Sequence, residues 1–279
     1  MHFVKMHGAG NDFVLLEAQG DEQDWPRLAQ AMCDRHFGVG ADGLILVLPS
    51  SRADVRMRMF NPDGSEAEMC GNGLRCIVKY AVEGGLAHPR AGRIDVETLA
   101  GVLTAQTFGD GRTVERVRVS MGVPRFAPAD IPVLVEADPP IVDLPLEMAG
   151  HALRLTCLSM GNPHAVHFVD GPMAGFPLEE VGPLVEHHAL FPQRVNFEVA
   201  RVLDRGRMEV RVWERGAGAT LACGSGASAA MVAAHVQGLV GDRVDITVPG
   251  GTLVIEWDGA GEVDLSGPAE RVFAGEWEE

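Results

Sequence analysis

The sequence predicts an α/β protein of the α+β type, built as two pseudo-symmetric domains from an internal duplication. The first observation is a repeat: residues 55–61 align with 208–214, and the Cys-Gly-Asn-Gly of 70–73 aligns with the Cys-Gly-Ser-Gly of 223–226, both at an offset of 153. The second is that each copy has the pattern of a strand, a turn and a helix. The third is a proline-rich stretch, residues 123–132, between the two copies.

The first element of each copy is predicted to be a half-buried strand, because apolar and polar residues alternate along it. The apolar positions are Val55, Met57 and Met59 in the first copy and Met208, Val210 and Val212 in the second. Small residues follow in both copies, over 61–65 and 215–219. Such residues are typical of a tight turn.

The turn of each copy is followed by a predicted helix. In the first copy the apolar residues recur at helical spacing, and Gly84 and Gly85 end the pattern. They are Leu74, Ile77, Val78, Ala81 and Val82. The second helix is apolar nearly all round, which predicts burial, and it ends at Gly238. Beyond the helices, residues 99–103 resemble 249–253 at an offset of 150. Each domain is therefore expected to wrap strands around one helix, with 123–132 as the linker candidate.

The charge of the chain narrows its possible partners. The 39 acidic residues outnumber the 23 basic ones, giving a formal net charge of −16. This is the wrong sign for a protein that binds nucleic acid or anionic membranes. No apolar run reaches the ~18 residues that a membrane span needs, and the N-terminal residues lack the pattern of a signal peptide. A cytoplasmic location is expected.

The five cysteines do not form a disulfide framework, because they are few and odd in number in a long chain. A structural metal is not expected, since the Cys33-x-x-His36 pattern lacks a second pair at zinc-site spacing. Cys33, Cys76 and Cys157 are predicted to pack in the core. No cofactor is expected, and neither of the two lysines, Lys5 and Lys79, lies in a recognisable pyridoxal phosphate context.

The doubled Cys-Gly-x-Gly motif carries the chemistry. It places Cys70 and Cys223 at predicted helix N-termini, where unpaired amides and the helix dipole favour negative charge. That environment predicts a thiol pKa lowered from ~8.5 toward neutrality. A lone cysteine is more often a packing residue, but two at matching repeat positions indicate function.

Two such groups suit the inversion of a stereocentre beside a carboxylate. One group removes a proton from one face of the carbon, and the other returns a proton to the opposite face. The helix N-termini would stabilise the carboxylate as it becomes enolate-like. One cysteine must be a thiolate and the other a thiol, with the roles exchanged in the reverse direction.

The motifs together resemble those of the diaminopimelate epimerase family over essentially the whole chain. The matching segments are residues 5–13, 35–43, 60–64, 69–73, 160–164, 194–197, 214–218 and 222–226. The resemblance implies an isomerase that converts LL- to meso-diaminopimelate in lysine and cell-wall precursor synthesis, without metal or pyridoxal phosphate. It also implies a homodimer whose two domains are mostly antiparallel sheets or barrels around a central helix. The expected domains are 1–118 with the C-terminal tail 269–279, carrying Cys70, and 119–268, carrying Cys223.

The same resemblance implies roles for individual residues. Cys70 and Cys223 match the two catalytic cysteines, usually described as donor and acceptor in the forward direction. His164 matches a catalytic residue near the first cysteine, and Glu214 one that receives the substrate ammonium. The residues matching substrate-binding positions are Asn11, Asn61, Gly71, Asn72, Asn162, Asn196, Glu214, Arg215, Gly224 and Ser225. Gly43 and Ala219 stand where other members carry Gln and Glu.

Two alternatives remain open at this stage. A proline or hydroxyproline racemase would use the same chemistry on a substrate with one carboxylate, which leaves the asparagines and Arg215 without a distal group to hold. A redox-sensing or small-molecule-binding protein would use the cysteines as a disulfide switch. Turnover under reducing conditions separates the second alternative from an epimerase.

Overall fold

The computed structural model describes residues 1–20, 23–110, 112–148 and 150–278. The chain divides into two compact units, Met1–Ser120 with Ser266–Glu279 and Met121–Leu265. Both units combine many strands with few helices, so the predicted α+β class with two domains is confirmed.

Unit 1 is formed by strands from both ends of its sequence and two helices. Its strands are β1 (His2–Gly8), β2 (Asn11–Glu17), β3 (Gly43–Leu48), β4 (Val55–Phe60), β5 (Glu66–Ala67), β6 (Arg93–Thr98), β7 (Gly101–Gly109), β8 (Val114–Ser120) and β18 (Glu270–Glu276). Its helices are α1 (Trp25–Cys33) and α2 (Gly71–Glu83). Most neighbouring strands are antiparallel, while β2 pairs with β3 and β4 with β6 in parallel.

Helix α2 is the centre of unit 1. It contacts strands β1, β2, β3, β4, β6, β7 and β8. The residues predicted for its apolar face are all buried, because that face is directed at the surrounding strands. The helix ends at Glu83, where Gly84 caps it and Gly85 takes a positive φ of 72°. A glycine adopts this left-handed conformation without the Cβ clash that other residues incur.

Unit 2 has the same kinds of element. Its strands are β9 (Ile141–Met148), β10 (His151–Ser159), β11 (Pro163–Phe168), β12 (Asn196–Asp204), β13 (Arg207–Glu214), β14 (Gly218–Thr220), β15 (Arg243–Val248) and β16 (Gly251–Glu256). A further strand, β17 (Asp264–Gly267), spans the point where the chain passes from unit 2 to unit 1. The helices are a short 3-10 turn (Met173–Gly175), α3 (Leu178–Glu186) and α4 (Gly224–Val236).

Helix α4 is the centre of unit 2 and contacts β10, β11, β12, β13, β15 and β16. Its residues from Gly226 to Ala234 are all buried, which confirms the burial predicted from an apolar surface on every side. Small side chains make this possible, because strands can approach a helix of alanines closely on all faces. The helix ends at Val236, and Gly238 follows with a φ of 71°.

The repeat predicted from the sequence is confirmed element by element. Strand β4 pairs in parallel with β6 in unit 1, as β13 does with β15 in unit 2. The segments that match at an offset of 150 form the tight connections between β6 and β7 and between β15 and β16. Gly101 and Gly251 occupy equivalent places there, with φ of 120° and 143°.

The linker prediction for residues 123–132 is wrong. The chain passes from unit 1 to unit 2 between Ser120 and Met121, so this segment belongs to unit 2. Its backbone is bonded within that unit, since Arg125 and Ser159 exchange two hydrogen bonds. Ile131 is fully buried in the unit 2 core. Prolines therefore shape a packed segment here, not a flexible connection.

Cys33, Cys76 and Cys157 are buried, which confirms that they pack in the core. Burial raises the pKa of Cys33 to about 11 and the pKa of both Cys76 and Cys157 to about 12. An apolar environment favours the neutral thiol over the thiolate. These thiols are therefore protonated at neutral pH.

The buried thiols predict a loss of stability at alkaline pH. An unfolded thiol gives up its proton above pH ~8.5, whereas the folded protein keeps it, so the folded state binds more protons and stability falls as pH rises. The loss continues until the folded pKa values of 11 to 12 are reached. Each thiol contributes a slope of up to about 1.4 kcal/mol per pH unit. In urea denaturation between pH 8 and 10.5 under reductant, the free energy of unfolding of Cys76→Ala should fall less steeply with pH than that of the wild type. Equal slopes would contradict this.

No helix in the described ranges is long and apolar enough to cross a membrane.

Candidate functional site

Cys70 begins helix α2 in unit 1. It is the N-cap residue, with φ −143° and ψ 118°, and its sulfur accepts a hydrogen bond from the Gly73 amide at 3.5 Å. The predicted binding residue Gly71 is the first residue of the helix. Amides at this position have no partner within the helix, so they are available to an anionic group. The predicted location of Cys70 at a helix start is therefore present, and its side chain is half-buried.

Two predicted asparagines lie beside Cys70. The Cys70 thiol is 3.9 Å from Asn11 Oδ1, and Asn72 Nδ2 donates to the same oxygen at 3.0 Å. Asn72 Oδ1 in turn accepts from Arg75 Nη2 at 2.9 Å. The Arg75 side chain is fully buried, although the sequence analysis gave it no role. Its other hydrogen bonds, to Gly71 O and Pro268 O, also go to neutral acceptors, so a fixed positive charge lies beneath the start of α2.

An ion-pair network fixes Asn11 from its other side. Asn11 Nδ2 donates to Asp42 Oδ2 at 2.7 Å, and Arg35 bridges Asp42 and Asp12 at 2.6 and 2.8 Å. Lys5 Nζ lies 2.7 Å from Asp12. Burial alone raises the pKa of Asp12, but the hydrogen bonds from Arg35 and Lys5 outweigh it and hold the pKa at about 2. Arg35 and the Asp12 backbone N–H hold Asp42, whose Oδ2 accepts from Asn11 Nδ2 and so keeps Asn11 Oδ1 toward Cys70 and Asn72.

Asn61 lies after strand β4, in the turn that precedes Cys70. Its Nδ2 donates to Ser65 Oγ at 2.9 Å, and its backbone N–H donates to Ser65 O at 2.8 Å. In the described part of the chain its hydrogen bonds stay within this turn. The structure thus groups Cys70, Asn11 and Asn72 directly, whereas Asn61 is tied to its own turn.

Cys223 begins helix α4 in unit 2 with the same geometry. It is the N-cap residue, with φ −117° and ψ 114°, and its sulfur accepts from the Gly226 amide at 3.4 Å. The first two residues of this helix are the predicted binding residues Gly224 and Ser225. The Ser225 hydroxyl lies 3.5 Å from the Cys223 sulfur.

The prediction of a lowered pKa is wrong for Cys223. Only 7% of the residue is exposed, and burial raises its pKa well above the usual value. The nearby Glu214 carboxylate acts in the same direction, while the hydrogen bonds from Ser225 and Gly226 act against it. Desolvation of the thiolate therefore exceeds the stabilisation that the helix start supplies. Cys223 is a thiol at neutral pH in the free protein.

A chain of hydrogen bonds leads from Ser225 into the interior of unit 2. Asn162 Nδ2 donates to Ser225 Oγ at 3.2 Å, and Asn162 Oδ1 lies 2.9 Å from His164 Nε2. His164 Nδ1 lies 2.7 Å from Glu198 Oε1, and both His164 and Glu198 are fully buried. The structure thus links the predicted residues Cys223, Ser225, Asn162 and His164, and it adds Glu198.

The remaining predicted residues of unit 2 lie where β12 begins and β13 ends. Asn196 Oδ1 accepts from the Arg215 backbone N–H at 2.9 Å, which fixes the start of the turn after β13. The Arg215 side chain is exposed and donates to Gln193 O. Glu214 Oε1 accepts a short hydrogen bond from the Thr220 hydroxyl. These contacts hold a carboxylate and a guanidinium on adjacent residues.

Sequence reasoning did not identify Arg75, Glu198 or Asp42. Glu198 has a detectable signal, because it is the one charged residue in the mostly apolar segment 195–200. Arg75 is next to Leu74 in a helix whose neighbouring positions are buried, but sequence alone does not show on which side a long side chain lies. No group of three or more His, Cys, Asp or Glu side chains within the described residues could hold a metal ion.

The site in each unit can therefore hold an anion at a helix start and transfer a proton through a sulfur. The family model described as diaminopimelate epimerase matches residues 3–127 and 156–272. The diaminopimelate epimerase of Pelotomaculum thermopropionicum is 51% identical over 282 residues, covering 99% of each chain. That of Moorella thermoacetica is 50% identical over 280 residues, with the same coverage.

Solved structures show the fold more distantly. A phenazine biosynthesis protein of the PhzF family from Bacillus anthracis matches with a TM-score of 0.72 at 18% identity, over 100% of this chain and 99% of that one. A probable proline racemase from Agrobacterium radiobacter matches with a TM-score of 0.69 at 16% identity, over 99% of this chain and 92% of that one.

Proposed function

The chain belongs to the diaminopimelate epimerase family, and from that premise we propose that it converts LL-2,6-diaminopimelate to meso-2,6-diaminopimelate, using Cys70 and Cys223 as a thiolate and thiol pair. The observation that supports this most directly is the matched placement of the two cysteines. Each is the N-cap of a central helix, and each sulfur accepts from the third amide of that helix.

The reaction is proposed to begin with Cys70 as the base, which reverses the donor and acceptor order implied by the family resemblance, because burial and Glu214 favour the protonated form of Cys223 in the free protein. The thiolate takes the α-proton from one face of the substrate carbon, and the electron pair left behind spreads into the adjacent carboxylate. The Cys223 thiol gives its proton to the opposite face, which inverts the carbon and leaves Cys223 as the thiolate. In the reverse direction the two roles are exchanged. Proton transfer through positioned groups of this kind contributes about 10²–10⁴-fold in rate.

The helix starts assist the transition state. The substrate carboxylate gains charge as the α-proton leaves, and the backbone amides of Gly71, Asn72, Gly224 and Ser225 are placed at two helix N-termini. Fixed dipoles directed at developing charge lower the barrier without reorganisation.

The distal end of diaminopimelate carries an ammonium and a carboxylate. We propose that Arg215 pairs with the carboxylate and that Glu214 receives an ammonium. Asparagines supply donors and acceptors together, which suits a zwitterion. The proposed residues are Asn11, Asn61, Asn162 and Asn196. A proline racemase substrate has no second polar end for this set to bind.

We also propose that the protein acts in the cytoplasm as a homodimer, as the family resemblance implies. Strand β18 presents the exposed apolar side chains of Val272 and Phe273. Covering apolar side chains of this kind with a partner surface removes them from water and lowers the free energy of the assembly.

The test is a reaction of the purified protein with LL-diaminopimelate under reductant and chelator, without added cofactor. Formation of the meso isomer is the expected result. Absence of turnover would contradict the proposal, and faster racemisation of proline than of diaminopimelate would favour the racemase alternative. Because reductant is present throughout, turnover also excludes a function that depends on a disulfide switch.

A further inference from the structure

One difference between the duplicated units is a buried pair beneath the cysteine helix. In unit 2 the pair is His164 and Glu198, joined at 2.7 Å. In unit 1 the matching pair is Phe13 and Ile45, which are both apolar and fully buried. The same scaffold therefore exists with and without ionisable groups at this place.

The strand register establishes the match. Leu44 pairs with Phe60 in unit 1, and Phe197 pairs with Trp213 in unit 2, so β3 and β12 are related by the offset of 153. Ile45 is then equivalent to Glu198. Phe13 faces Gly43 across a parallel pair, as His164 faces Asn196, which makes Phe13 equivalent to His164.

The two pairs occupy the same space relative to the helix start. A Cβ placed on Gly73 of α2 would lie 2.9 Å from the Ile45 side chain. A Cβ placed on Gly226 of α4 would lie 2.9 Å from Glu198 Oε1. Since an isoleucine fills this position in unit 1, packing alone does not require the glutamate in unit 2.

The hydrogen bonds between Glu198 and Cys223 have a defined direction. Asn162 Nδ2 donates to Ser225 Oγ, so its Oδ1 faces His164 and can only accept, which places a proton on His164 Nε2. Ser225 Oγ accepts from Asn162 and lies 3.5 Å from the Cys223 sulfur. Either atom of this pair can donate when Cys223 is a thiol, but a thiolate can only accept, so Ser225 is then the donor. We call Glu198, His164, Asn162 and Ser225 the relay.

The relay begins at Glu198, whose surroundings favour the protonated carboxyl group. Its Oε2 is buried and has no hydrogen-bond partner within the described residues, which disfavours an ionised carboxylate. Burial raises the pKa of Glu198 despite the contact with His164. A protonated Glu198 Oε1 donates to His164 Nδ1, which leaves the ring hydrogen of His164 on Nε2, toward Asn162.

From this geometry we infer that Glu198 is a positioning residue, which through the relay turns the Ser225 hydroxyl hydrogen toward Cys223 and stabilises its thiolate form. The role rests on the proposed function, in which Cys223 becomes a thiolate each time it gives up its proton. A hydrogen bond to a charged sulfur offsets part of the desolvation that opposes this state.

Other ionisable groups near the relay and Cys223 come from the surrounding strands. Glu214 at the end of β13 and an ionised Glu198 on β12 both disfavour the Cys223 thiolate, and Cys157 on β10 is electrostatically coupled to Glu198. Glu214 also raises the pKa of Glu198. Glu214 acts against negative charge at Cys223, so a donor from Ser225 opposes it, while a protonated Glu198 adds no charge of its own.

The test measures iodoacetamide alkylation of Cys70 and Cys223 separately, by mass spectrometry of the full chain between pH 6 and 10. The double variant His164→Phe with Glu198→Ile copies the unit 1 pair. It should lower the alkylation rate of Cys223 about tenfold at each pH below the Cys223 pKa, because a rise of one pKa unit lowers the thiolate fraction tenfold. Ser225→Ala should slow it equally, and the triple variant should show no further decrease. Glu198→Gln can still donate to His164 and should stay within about twofold of the wild type.

The Cys70 rate is the internal control and should not change in any variant. A wild-type Cys223 rate in Ser225→Ala, or a Glu198→Gln protein as slow as the double variant, would overturn the inference. If circular dichroism shows that the double variant is unfolded, the Cys223 alkylation rates of Ser225→Ala and Glu198→Gln test the inference by the same criteria. The alkylation assay contains no substrate. Its result can therefore be interpreted even if the proposed epimerase reaction is not observed.

Discussion

Cys70→Ala and Cys223→Ala are each expected to lower kcat for diaminopimelate epimerisation by about a thousandfold or more, with the fold intact. Each substitution removes the only group proposed for proton transfer on one face of the carbon. The measurement is the initial rate of meso-diaminopimelate formation, with circular dichroism to confirm folding.

Cys33→Ala is the matched control for both variants. Cys33 is buried in the unit 1 core at the end of α1, outside the Cys-Gly-x-Gly motif. Its substitution should reduce stability, because a buried side chain is truncated, while kcat is maintained. Near wild-type turnover in either Cys70→Ala or Cys223→Ala would show that the paired cysteines do not carry the reaction.

Arg215→Met is expected to raise KM for diaminopimelate about a hundredfold, with a smaller effect on kcat. The backbone of Arg215 is fixed by Asn196, and its exposed guanidinium is proposed to bind a substrate carboxylate. Loss of one charged partner from such a contact costs about 2–5 kcal/mol when the contact is desolvated. Methionine retains the length of the side chain without the charge.

Arg207→Met tests whether loss of any arginine has this effect. Arg207 is the first residue of β13, the strand that Arg215 follows; it is exposed and pairs with Asp204 at 2.7 Å. Its substitution should leave KM unchanged, since exposed pairs of this kind contribute little. A KM for Arg215→Met within about threefold of the wild type would contradict the assignment of Arg215 to the substrate.

The duplicated architecture is readable from the sequence because its signals are local. A strand of alternating residues, a glycine-rich turn and a cysteine before Gly-x-Gly recur at one offset, and each element forms from neighbouring residues. The helix N-caps at Cys70 and Cys223 follow from the same short motif. The packing cysteines are predictable for a similar reason, since they lack that motif.

The electrostatics of the site are not readable in this way. The raised pKa of Cys223 results from burial by strands distant in sequence, which outweighs the local effect of the helix start. The contact of His164 with Glu198 joins residues 34 positions apart, and the network around Asn11 joins residues about as distant. Pairings of this kind depend on strand register, which composition and periodicity do not specify.

The linker error has the same origin. Prolines in residues 123–132 indicate a restricted backbone, but they do not reveal whether the segment is solvated or packed. The burial of Ile131 and the backbone hydrogen bonds between Arg125 and Ser159 show that the segment is packed.

The most direct test of the proposed two-sulfur reaction is isotope uptake during the first few per cent of turnover in deuterated water. If one cysteine removes the substrate proton and the other delivers a proton drawn from solvent, the meso product carries deuterium at the inverted carbon while recovered LL-diaminopimelate carries none. Equal deuterium in product and recovered substrate would show that a single base serves both faces, and the paired roles of Cys70 and Cys223 would then be wrong.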